Sequence, residues 1–391
     1  MMKNGQKVKT FGFVCDADPF NDRFAWSGTL YKIREGLERA GFKVVWIPVR
    51  TNSIAERLYR RVYIKIKTVF WGGGKNIVLN THRPFIAKVQ AHTIRMDEKY
   101  KSCDAFFFPG GGQRMLYMDL LGKPTIYYTD ATFHIMVDYY WKNLNEKEMK
   151  ESMELEKRAV NSASLNIRSS QWAADSVVHD CGCEPQKSFV LEFGANIDSN
   201  DIEPIQPYTR GRLNVFFSGV DWGRKGGEIA VLTVMELRNL GVDAHLIIAG
   251  IKKLPDGIAD YDFVENVGFL NKNDPVSYKK YIDCWKRSHL FLLPTQAECS
   301  AIVYCESAGF GVPAYTYLTG GTADYVKDGV NGRTFCLGTS ANEIAKKIKD
   351  DIENGNMPLF HKGAIEMFEK RLSWTAWSKR FKEIVERSNL F

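Results

Sequence analysis

The stretch "PTQAECSAIVYCESAGFGVP" (residues 294–313) decides the fold prediction, because it joins a strand to a helix through a loop that carries a glutamate. It overlaps the apolar run "LFLLPT" (290–295), which is typical of a buried strand. Glu298 follows that strand, and a helix that begins near Ala301 would place Glu306 on its second turn.

Strands and helices alternate in the same way through both halves of the chain. Strands that are apolar on both faces and alternate with helices predict parallel, doubly wound sheets. The predicted strands of the first half are "KTFGFVCD" (9–16), "KVVWIPVR" (43–50), "NIVLN" (76–80), "DAFFFPG" (104–110), "PTIYYTD" (124–130) and "LNIRSS" (165–170). Those of the second half are "LNVFFSG" (213–219), "AHLIIAG" (244–250), "FVENVGFL" (263–270), "LFLLPT" and "VPAYTY" (312–317).

A polar stretch with two prolines, residues 196–212, separates the two series. We therefore predict two Rossmann-like domains, 1–195 and 196–372, which face each other across a cleft. Residues 373–391 are predicted to form a terminal helix that packs back on the first domain, with Ser373 as its N-cap. Ligands of such sheets bind beyond the carboxyl ends of the strands, so the cleft is the expected site.

The composition of the 391 residues, 45% apolar and 25% charged, is that of a globular protein. The N-terminus lacks the apolar core of a signal peptide, and no apolar run approaches the roughly 20 residues of a membrane span. These features predict a cytoplasmic protein. Eight scattered cysteines, with Cys181 and Cys183 as a lone pair, favour reduced thiols and no metal site.

The net charge of +7 is unevenly distributed, since basic residues outnumber acidic ones by about four to one between Arg50 and Lys101. This excess predicts an anionic partner. Within it, "AERLYRRVYIKIKTVFW" (55–71) has the pattern of a basic amphipathic helix. Two interpretations stay open: peripheral contact with an anionic membrane at its inner face, or a helix that faces the core with its cations in water. "WGGGKN" (71–76) is predicted to be a flexible turn after it.

The segment "FFSGVDWGRKGGEIA" (216–230) is a candidate phosphate site. Its glycines, among them Gly219, follow a strand and precede a helix, where free backbone N–H groups favour an anion. Arg224 and Lys225 would add charge-assisted hydrogen bonds to a diphosphate. The alternative is an ordinary glycine-rich turn with two hydrated cations. The spacing is not that of a Walker A loop.

The N–H groups of Ala301, Ile302 and Val303 would form a second set of donors at the start of the next helix. A carboxylate accepts paired hydrogen bonds from neighbouring hydroxyls, as on a sugar ring or a ribose. One ligand could thus be bound at three points, by one carboxylate at a sugar, by cations and amides at a diphosphate, and by the other carboxylate at a ribose. The alternative is one loop glutamate and one helix-face glutamate without a shared role.

Taken together, these segments resemble the retaining glycosyltransferases of the GT-B fold, and specifically glycosyltransferase family 4. The resemblance is carried by "FFSGVDWGRKGG", by "HLIIAG" and by the long segment from Pro294 to Phe335. That segment holds the family's two glutamates with seven residues between them, its Gly320-Gly321 pair and its Asp-Gly-x-Asn-Gly hairpin at 328–332. "LEFGANID" (191–198) is similar to the segment that joins the family's domains. The resemblance extends from about Glu154 to the end and is faint before it.

The resemblance implies a sugar transfer from a nucleotide-sugar donor to a glycan or lipid-linked acceptor, in the synthesis of cell-surface polysaccharides or glycoconjugates. It assigns the acceptor to the first domain and the donor to the second, and it implies neither a metal nor another cofactor. Glu298 would bind the transferred sugar, Glu306 the ribose, and Lys225 the diphosphate, with help from the amides of Ile302 and Val303.

The chain departs from the family pattern at two places. Val220 occupies a position where the family commonly has an arginine, a role that Arg224 would take over. Cys299-Ser300-Ala301 replaces a common Gly-Phe-Gly, so the preference for a donor sugar does not carry over.

Further candidates lie in the first half. Ser27 and Gly28, in the loop after the first strand, could approach the donor phosphate through the backbone. Family members place a histidine near the sugar after a later strand, and here Asp130 and His134 are the candidates for that catalytic position. A structural hydrogen-bonding role for each is the alternative. His82, a lone loop histidine, is a weaker candidate.

Two rival functions remain open from the sequence. A sugar-nucleotide epimerase of the same fold would need carboxylates and a histidine that converge in the cleft, and it would consume no acceptor. A non-catalytic binding module for nucleic acid is suggested by the net charge. However, the chain shows no recognised nucleic-acid motif, and its paired glutamates suit hydroxyls better than phosphodiesters. We therefore predict no nucleic-acid partner.

Overall fold

The structure is a computed structural model that describes residues 2–3, 6–70 and 80–391. The chain divides into two compact units. Unit 1 comprises Met1–Leu191 with Ser378–Phe391, and unit 2 comprises Glu192–Trp377. The predicted linker, 196–212, therefore lies wholly within unit 2. Of the predicted elements, the strand at 76–80 falls almost entirely outside the described residues, and the turn at 71–76 does so completely.

Unit 1 begins with a short antiparallel pair, β1 (Met2–Lys3) and β2 (Gln6–Lys7). A six-stranded parallel sheet follows, with the order β4-β3-β5-β6-β7-β8. Its strands are β3 (Thr10–Cys15), β4 (Lys43–Pro48), β5 (Ala105–Pro109), β6 (Thr125–Thr129), β7 (Leu165–Arg168) and β8 (Ser188–Val190). The helices are α1 (Thr29–Arg39), α2 (Ile54–Phe70), α3 (Pro84–Ala91), α4 (Glu98–Lys101), α5 (Phe133–Met136), α6 (Glu146–Ser162) and α7 (Gln171–His179).

The central strands of this sheet are buried on both faces, which is why they read as continuous apolar runs. Every residue of β5 and β6 is buried. The ring of Phe107 stacks on Phe13 with centroids 5.6 Å apart and meets Phe11 edge-to-face at 6.1 Å. The aromatic strands "FGF" and "FFF" thus form the centre of unit 1.

Unit 2 repeats the architecture with a second parallel sheet, in the order β11-β10-β9-β12-β13-β14. Its strands are β9 (Leu213–Ser218), β10 (Ala244–Ala249), β11 (Val264–Gly268), β12 (Leu290–Leu293), β13 (Ala314–Tyr317) and β14 (Gly332–Phe335). Its helices are α8 (Trp222–Lys225), α9 (Gly227–Asn239), α10 (Pro275–Lys286), α11 (Ile302–Gly309), α12 (Thr322–Tyr325), α13 (Ala341–Glu353) and α14 (Asn356–Met367). The α/β fold with two doubly wound parallel sheets is confirmed.

The segment at 328–332 corrects one detail. It was expected to be a hairpin, which would join antiparallel strands, but it is a tight turn in which Gly329 N donates to the Gly332 carbonyl at 3.0 Å. The chain then continues as β14, which pairs parallel with β13. A short Asn-Gly signal identifies a turn but does not reveal which strand its flank will join.

The last helix, α15 (Trp374–Arg387), begins in unit 2 and ends in unit 1. Ser373 caps it, because its Oγ accepts a hydrogen bond from Ala376 N at 3.1 Å, which confirms the predicted N-cap. Its later part belongs to the core of unit 1, where Phe381 lies against Phe11 with ring centroids 5.9 Å apart. Among the described residues, no helix combines the length and the apolarity that a membrane crossing requires.

Candidate active site

Two loops of unit 2 meet at the carboxyl edge of its sheet, one after β9 and one after β12. Gln296 N donates to the carbonyl of Arg224 at 2.7 Å, and the Thr295 hydroxyl donates to the same oxygen at 3.2 Å. These bonds fix the loop that carries Arg224 and Lys225 against the loop that carries Glu298. These groups are far apart along the chain, and the order of the strands in the sheet brings them together.

Gly226 makes this meeting possible. Its φ is +76°, in the left-handed region, and a Cβ built on it would lie 2.1 Å from the carbonyl oxygen of Pro294. No side chain fits in that space, and both atoms in question belong to the backbone, so neither can move aside easily. The second glycine of "GRKGG" is therefore required for the approach of the two loops.

Glu298 is held by two cations at this point. The Lys225 ammonium forms an ion pair with Glu298 Oε2, and Arg224 Nη1 lies 3.7 Å from the same oxygen. Arg224 Nη1 also donates to the Ala297 carbonyl at 2.9 Å. Gly219 leaves room for the lysine, since a Cβ there would lie 2.8 Å from Lys225 Cγ. Four of the predicted donor-site residues thus form one cluster.

Asp221 orders the short helix that carries these cations. Its Oδ1 caps α8 by accepting from Arg224 N at 3.0 Å, and its Oδ2 lies 3.5 Å from Arg224 Nε. The guanidinium is therefore held beside the loop. Val220, which occupies the family's arginine position, points its side chain to solvent with 70% of its surface exposed.

The helix that follows Glu298 begins at Ile302, which confirms the predicted start near Ala301. Ala301 is the N-cap and has no side chain that could bind the first N–H groups. The amides of Ala301, Ile302 and Val303 therefore lie at an uncapped helix N-terminus, which favours an anion. The Gly320-Gly321 turn braces the preceding loop, because Gly321 N donates to the Glu298 carbonyl at 3.0 Å.

Glu306, on the second turn of α11, is almost completely buried, with 1% of its surface exposed. Lys272 Nζ lies 2.5 Å from its Oε1, and the Tyr281 hydroxyl donates to its Oε2 at 2.5 Å. Burial, reinforced by the charge of Glu306, raises the pKa of Tyr281 well above its usual value, so the phenol stays protonated and donates.

Neither partner of Glu306 is predicted from the sequence. Lys272 follows β11 in the chain, and the rule that ligands bind beyond the carboxyl ends of parallel strands would have marked it. Tyr281 lies inside α10, where nothing local distinguishes it from a core aromatic residue.

The candidates of the first half lie at the carboxyl edge of the unit 1 sheet. Ser27 and Gly28 immediately precede α1 in the left-handed region, with φ of +56° and +87°. Trp26 shares this conformation with φ of +50°. Consecutive residues of this kind cost free energy, of order 1–3 kcal/mol for each non-glycine, and are held in place by their surroundings.

Asp130 and His134 have different surroundings. Asp130 directly follows β6 and accepts from the Thr129 hydroxyl at 3.3 Å. His134 lies on the single turn of α5, with Nδ1 3.7 Å from the Sγ of Cys181. Burial lowers the pKa of His134, so its imidazole is neutral near pH 7. His82 lies elsewhere, with Nε2 3.5 Å from the buried carboxylate of Glu156.

Comparisons with known proteins agree with this arrangement. Residues 203–361 match the family described as Glycosyl transferases group 1. No curated protein sequence matches the chain. The matched residues include the loop that carries Arg224 and Lys225, both glutamates, and the helix α11 on which Glu306 lies. The protein is a glycosyltransferase enzyme.

Several solved structures are similar over nearly the whole chain. A glycosyltransferase from Rickettsia africae matches with a TM-score of 0.65 and 12% identity, over 98% of this chain and 99% of that one. Anabaena HepE in complex with UDP matches with a TM-score of 0.62 and 14% identity, over 97% and 100%. WaaG, a glycosyltransferase involved in lipopolysaccharide biosynthesis, matches with a TM-score of 0.58 and 15% identity, over 96% and 99%. These likenesses confirm the GT-B fold.

We predict that Gly226→Ala destabilises the protein by about 2 kcal/mol or more, because it combines an unfavourable φ with a backbone clash. Urea unfolding measures the change. Gly223→Ala, in the short helix α8 that precedes Gly226, is the control, since a Cβ there meets nothing within 4 Å. Equal stability of the two variants would contradict the assigned role of Gly226.

Proposed function

We propose that the protein is a retaining glycosyltransferase of family 4 that transfers a sugar from a nucleotide-sugar donor to a glycan or lipid-linked acceptor. One observation carries the proposal: Lys225 and Arg224 converge on Glu298 beside the uncapped N-terminus of α11. Cations and free amides at one strand edge suit a diphosphate. A neighbouring carboxylate suits sugar hydroxyls.

The same groups would supply the catalysis. When a glycosidic bond to a diphosphate breaks, negative charge develops on the leaving group and positive charge on the sugar ring. Fixed donors that meet the developing charge stabilise the transition state more than the ground state. Lys225 and Arg224, with the amides of Ile302 and Val303, are placed to receive the departing diphosphate. No metal is required for this role, because the chain provides the positive charge itself.

Glu298 and Glu306 would bind hydroxyls rather than act as the acid and base of a glycosidase. Each carboxylate forms an ion pair with a lysine. In a glycosidase, by contrast, two carboxyl groups flank the scissile bond, and one of them donates a proton to the leaving group. The assignment of the ribose to Glu306 and of the sugar to Glu298 is what the resemblance to family 4 implies.

The residues of unit 1 would serve the acceptor and the sugar. Asp130 is the better candidate for a catalytic contact, since it stands directly at the carboxyl end of a central strand. His134 is neutral but engaged with Cys181, so it would act through a hydrogen bond rather than through charge. The backbone of Ser27 and Gly28 would approach the donor phosphate.

The function is tested with labelled UDP-, GDP- and ADP-sugars and a membrane lipid extract as the source of acceptor. We expect one donor to release its nucleoside diphosphate and to transfer its label. Lys225→Met should lower turnover by roughly 100-fold or more, because one charged transition-state contact is lost. Lys253→Met, which removes an exposed lysine of the same unit, is the control. Interconversion of the nucleotide sugars without release would indicate an epimerase, and binding of none of them would indicate a binding module.

We also predict that the transfer reaction does not depend on a divalent metal. The cations and amides of the site are expected to carry the charge stabilisation that a metal would otherwise supply. Dialysis against EDTA should therefore leave turnover within a factor of about two. Loss of activity that magnesium or manganese restores would contradict this prediction.

Helix α2 has features that support a further proposed partner, the cytoplasmic face of an anionic membrane. The helix exposes an apolar row, Leu58, Val62 and Ile66, whose exposed fractions are 62%, 48% and 46%. Of the side chains of α2 that the structure describes, the two that are buried are charged, since Glu56 is 0% and Lys67 5% exposed. The arrangement differs from a core-facing helix, in which the apolar side would be buried.

Charge and shape both suit a lipid surface. Arg57, Arg61 and Lys65 are exposed on the same helix as the apolar row. Phe85 and Tyr59, whose rings stack with centroids 4.4 Å apart, extend the apolar surface to the neighbouring helix. Apolar side chains would enter the headgroup region while the cations meet anionic lipids. A lipid-linked acceptor would be reached from this position.

We predict that the protein sediments with vesicles that contain phosphatidylglycerol and less with vesicles of phosphatidylcholine alone. Leu58→Ser with Val62→Ser should weaken sedimentation by at least about tenfold, because losing the burial of even one apolar side chain, roughly 1.5–3 kcal/mol, corresponds to a factor of ten or more. Val276→Ser, at an exposed apolar residue of unit 2, is the control. Unchanged sedimentation of the double variant would show that α2 does not carry the contact.

A further inference from the structure

Lys272 lies on the loop between β11 and α10 and reaches back to the buried Glu306. The loop is ordered by its own hydrogen bonds, since Asn273 N donates to Asn271 Oδ1 at 3.0 Å and Asp274 N to the Asn271 carbonyl at 3.0 Å. Asp274 then caps α10. Lys272 is thus presented from a defined turn, with its Nζ 2.5 Å from Glu306 Oε1.

Tyr281 supports both members of this pair. Its hydroxyl donates to Glu306 Oε2 at 2.5 Å, and its ring lies under the lysine with 4.5 Å between Nζ and the ring centroid. A cation over an aromatic face is attracted to it. The side chain of Lys272 retains 28% of its surface, whereas that of Glu306 retains 1%. The ammonium is therefore the solvent-facing member of the pair.

A second buried carboxylate of unit 2 shows what a purely structural site looks like. Asp351 accepts four side-chain hydrogen bonds, two from Arg333 and one each from Tyr315 and Asn356, at 2.6–3.1 Å. Its lone pairs are used up. Among the described residues, Glu306 receives only the bonds from Lys272 and Tyr281. Each of its oxygens keeps the capacity to accept one further hydroxyl.

We propose that Lys272 is a donor-binding residue that contacts the nucleoside half of the nucleotide sugar, next to the ribose bound by Glu306. The inference rests on the proposed function. An ammonium has three N–H donors, and Glu306 takes one of them. The others are available to an oxygen acceptor on the nucleoside, a ribose oxygen or a base carbonyl. Lys272 stays paired with Glu306 and links the carboxylate to the ligand.

Two lysine–glutamate pairs would then divide the donor between them. Lys225 and Glu298, on the loops after β9 and β12, would bind the diphosphate and the sugar. Lys272 and Glu306, on the loop after β11 and on α11, would bind the nucleoside. Substitutions of the two lysines should therefore affect the affinity for a nucleoside diphosphate and for the shorter nucleoside monophosphate differently.

Calorimetry with the full chain separates these roles. UDP, GDP and ADP are titrated first, and the tightest binder is then compared with its nucleoside monophosphate. Lys272→Met should weaken both ligands by about tenfold or more, since each contains the nucleoside. Lys225→Met should weaken the diphosphate more than the monophosphate. Lys272→Arg, which keeps the charge and its donors, should recover part of the affinity, and Lys253→Met should leave it unchanged.

A cycle with Glu306→Gln tests whether the pair acts as a unit. The effects of Lys272→Met and Glu306→Gln should be less than additive in the double variant. Thermal unfolding identifies any variant that does not fold, in which case Lys272→Arg and Lys272→Gln take its place. Unchanged or tighter nucleotide binding by a folded Lys272 variant would overturn the inference, because the lysine would then be only a counter-ion or a competitor of the ribose. Failure of the wild type to bind any nucleoside diphosphate would instead overturn the proposed function itself.

Discussion

The contact between the backbone of Gly226 and the carbonyl of Pro294 is the constraint on which the site depends. It brings a loop from one strand against a loop from another at van der Waals distance, with no side chain between them. The hydrogen bonds from Thr295 and Gln296 to Arg224 then hold the two loops together. Because the loops meet here, two cations reach a carboxylate that follows a different strand.

Two buried carboxylates of unit 2, Asp351 and Glu306, differ in how completely their oxygens are hydrogen-bonded. A buried charge is costly unless it is paired and hydrogen-bonded. Asp351 meets that requirement completely and joins β14 to helices α13 and α14. Glu306 meets it with two donors, one of them a partly exposed lysine, and keeps the capacity to accept more. Incomplete saturation next to a strand edge is what a hydroxyl-binding carboxylate needs.

In unit 1, charged residues determine which face of helix α2 is buried. The sequence predicted the helix and its mixture of cations and apolar residues, and the structure confirms the helix over Ile54–Phe70. Periodicity alone could not decide which face is buried. Glu56 is buried because Arg60 and Gln90 bind its Oε1, and Lys67 is buried against Glu148 of α6. Gln90 and Glu148 come from elsewhere in the chain, and their contacts bury this side of α2 and leave the apolar row exposed.

The sequence by itself determined the alternation of strands and helices, the two parallel sheets and the spacing of Glu298 and Glu306, because each of these is written in short apolar periods and local signals. It also located Ser373 as a cap and Ala301 as a helix start. Only the tertiary structure decided that Lys272 reaches Glu306, that His134 turns to Cys181 and that residues 332–335 form a parallel strand. These contacts join distant segments, and which segments meet depends on strand order, which no local pattern records.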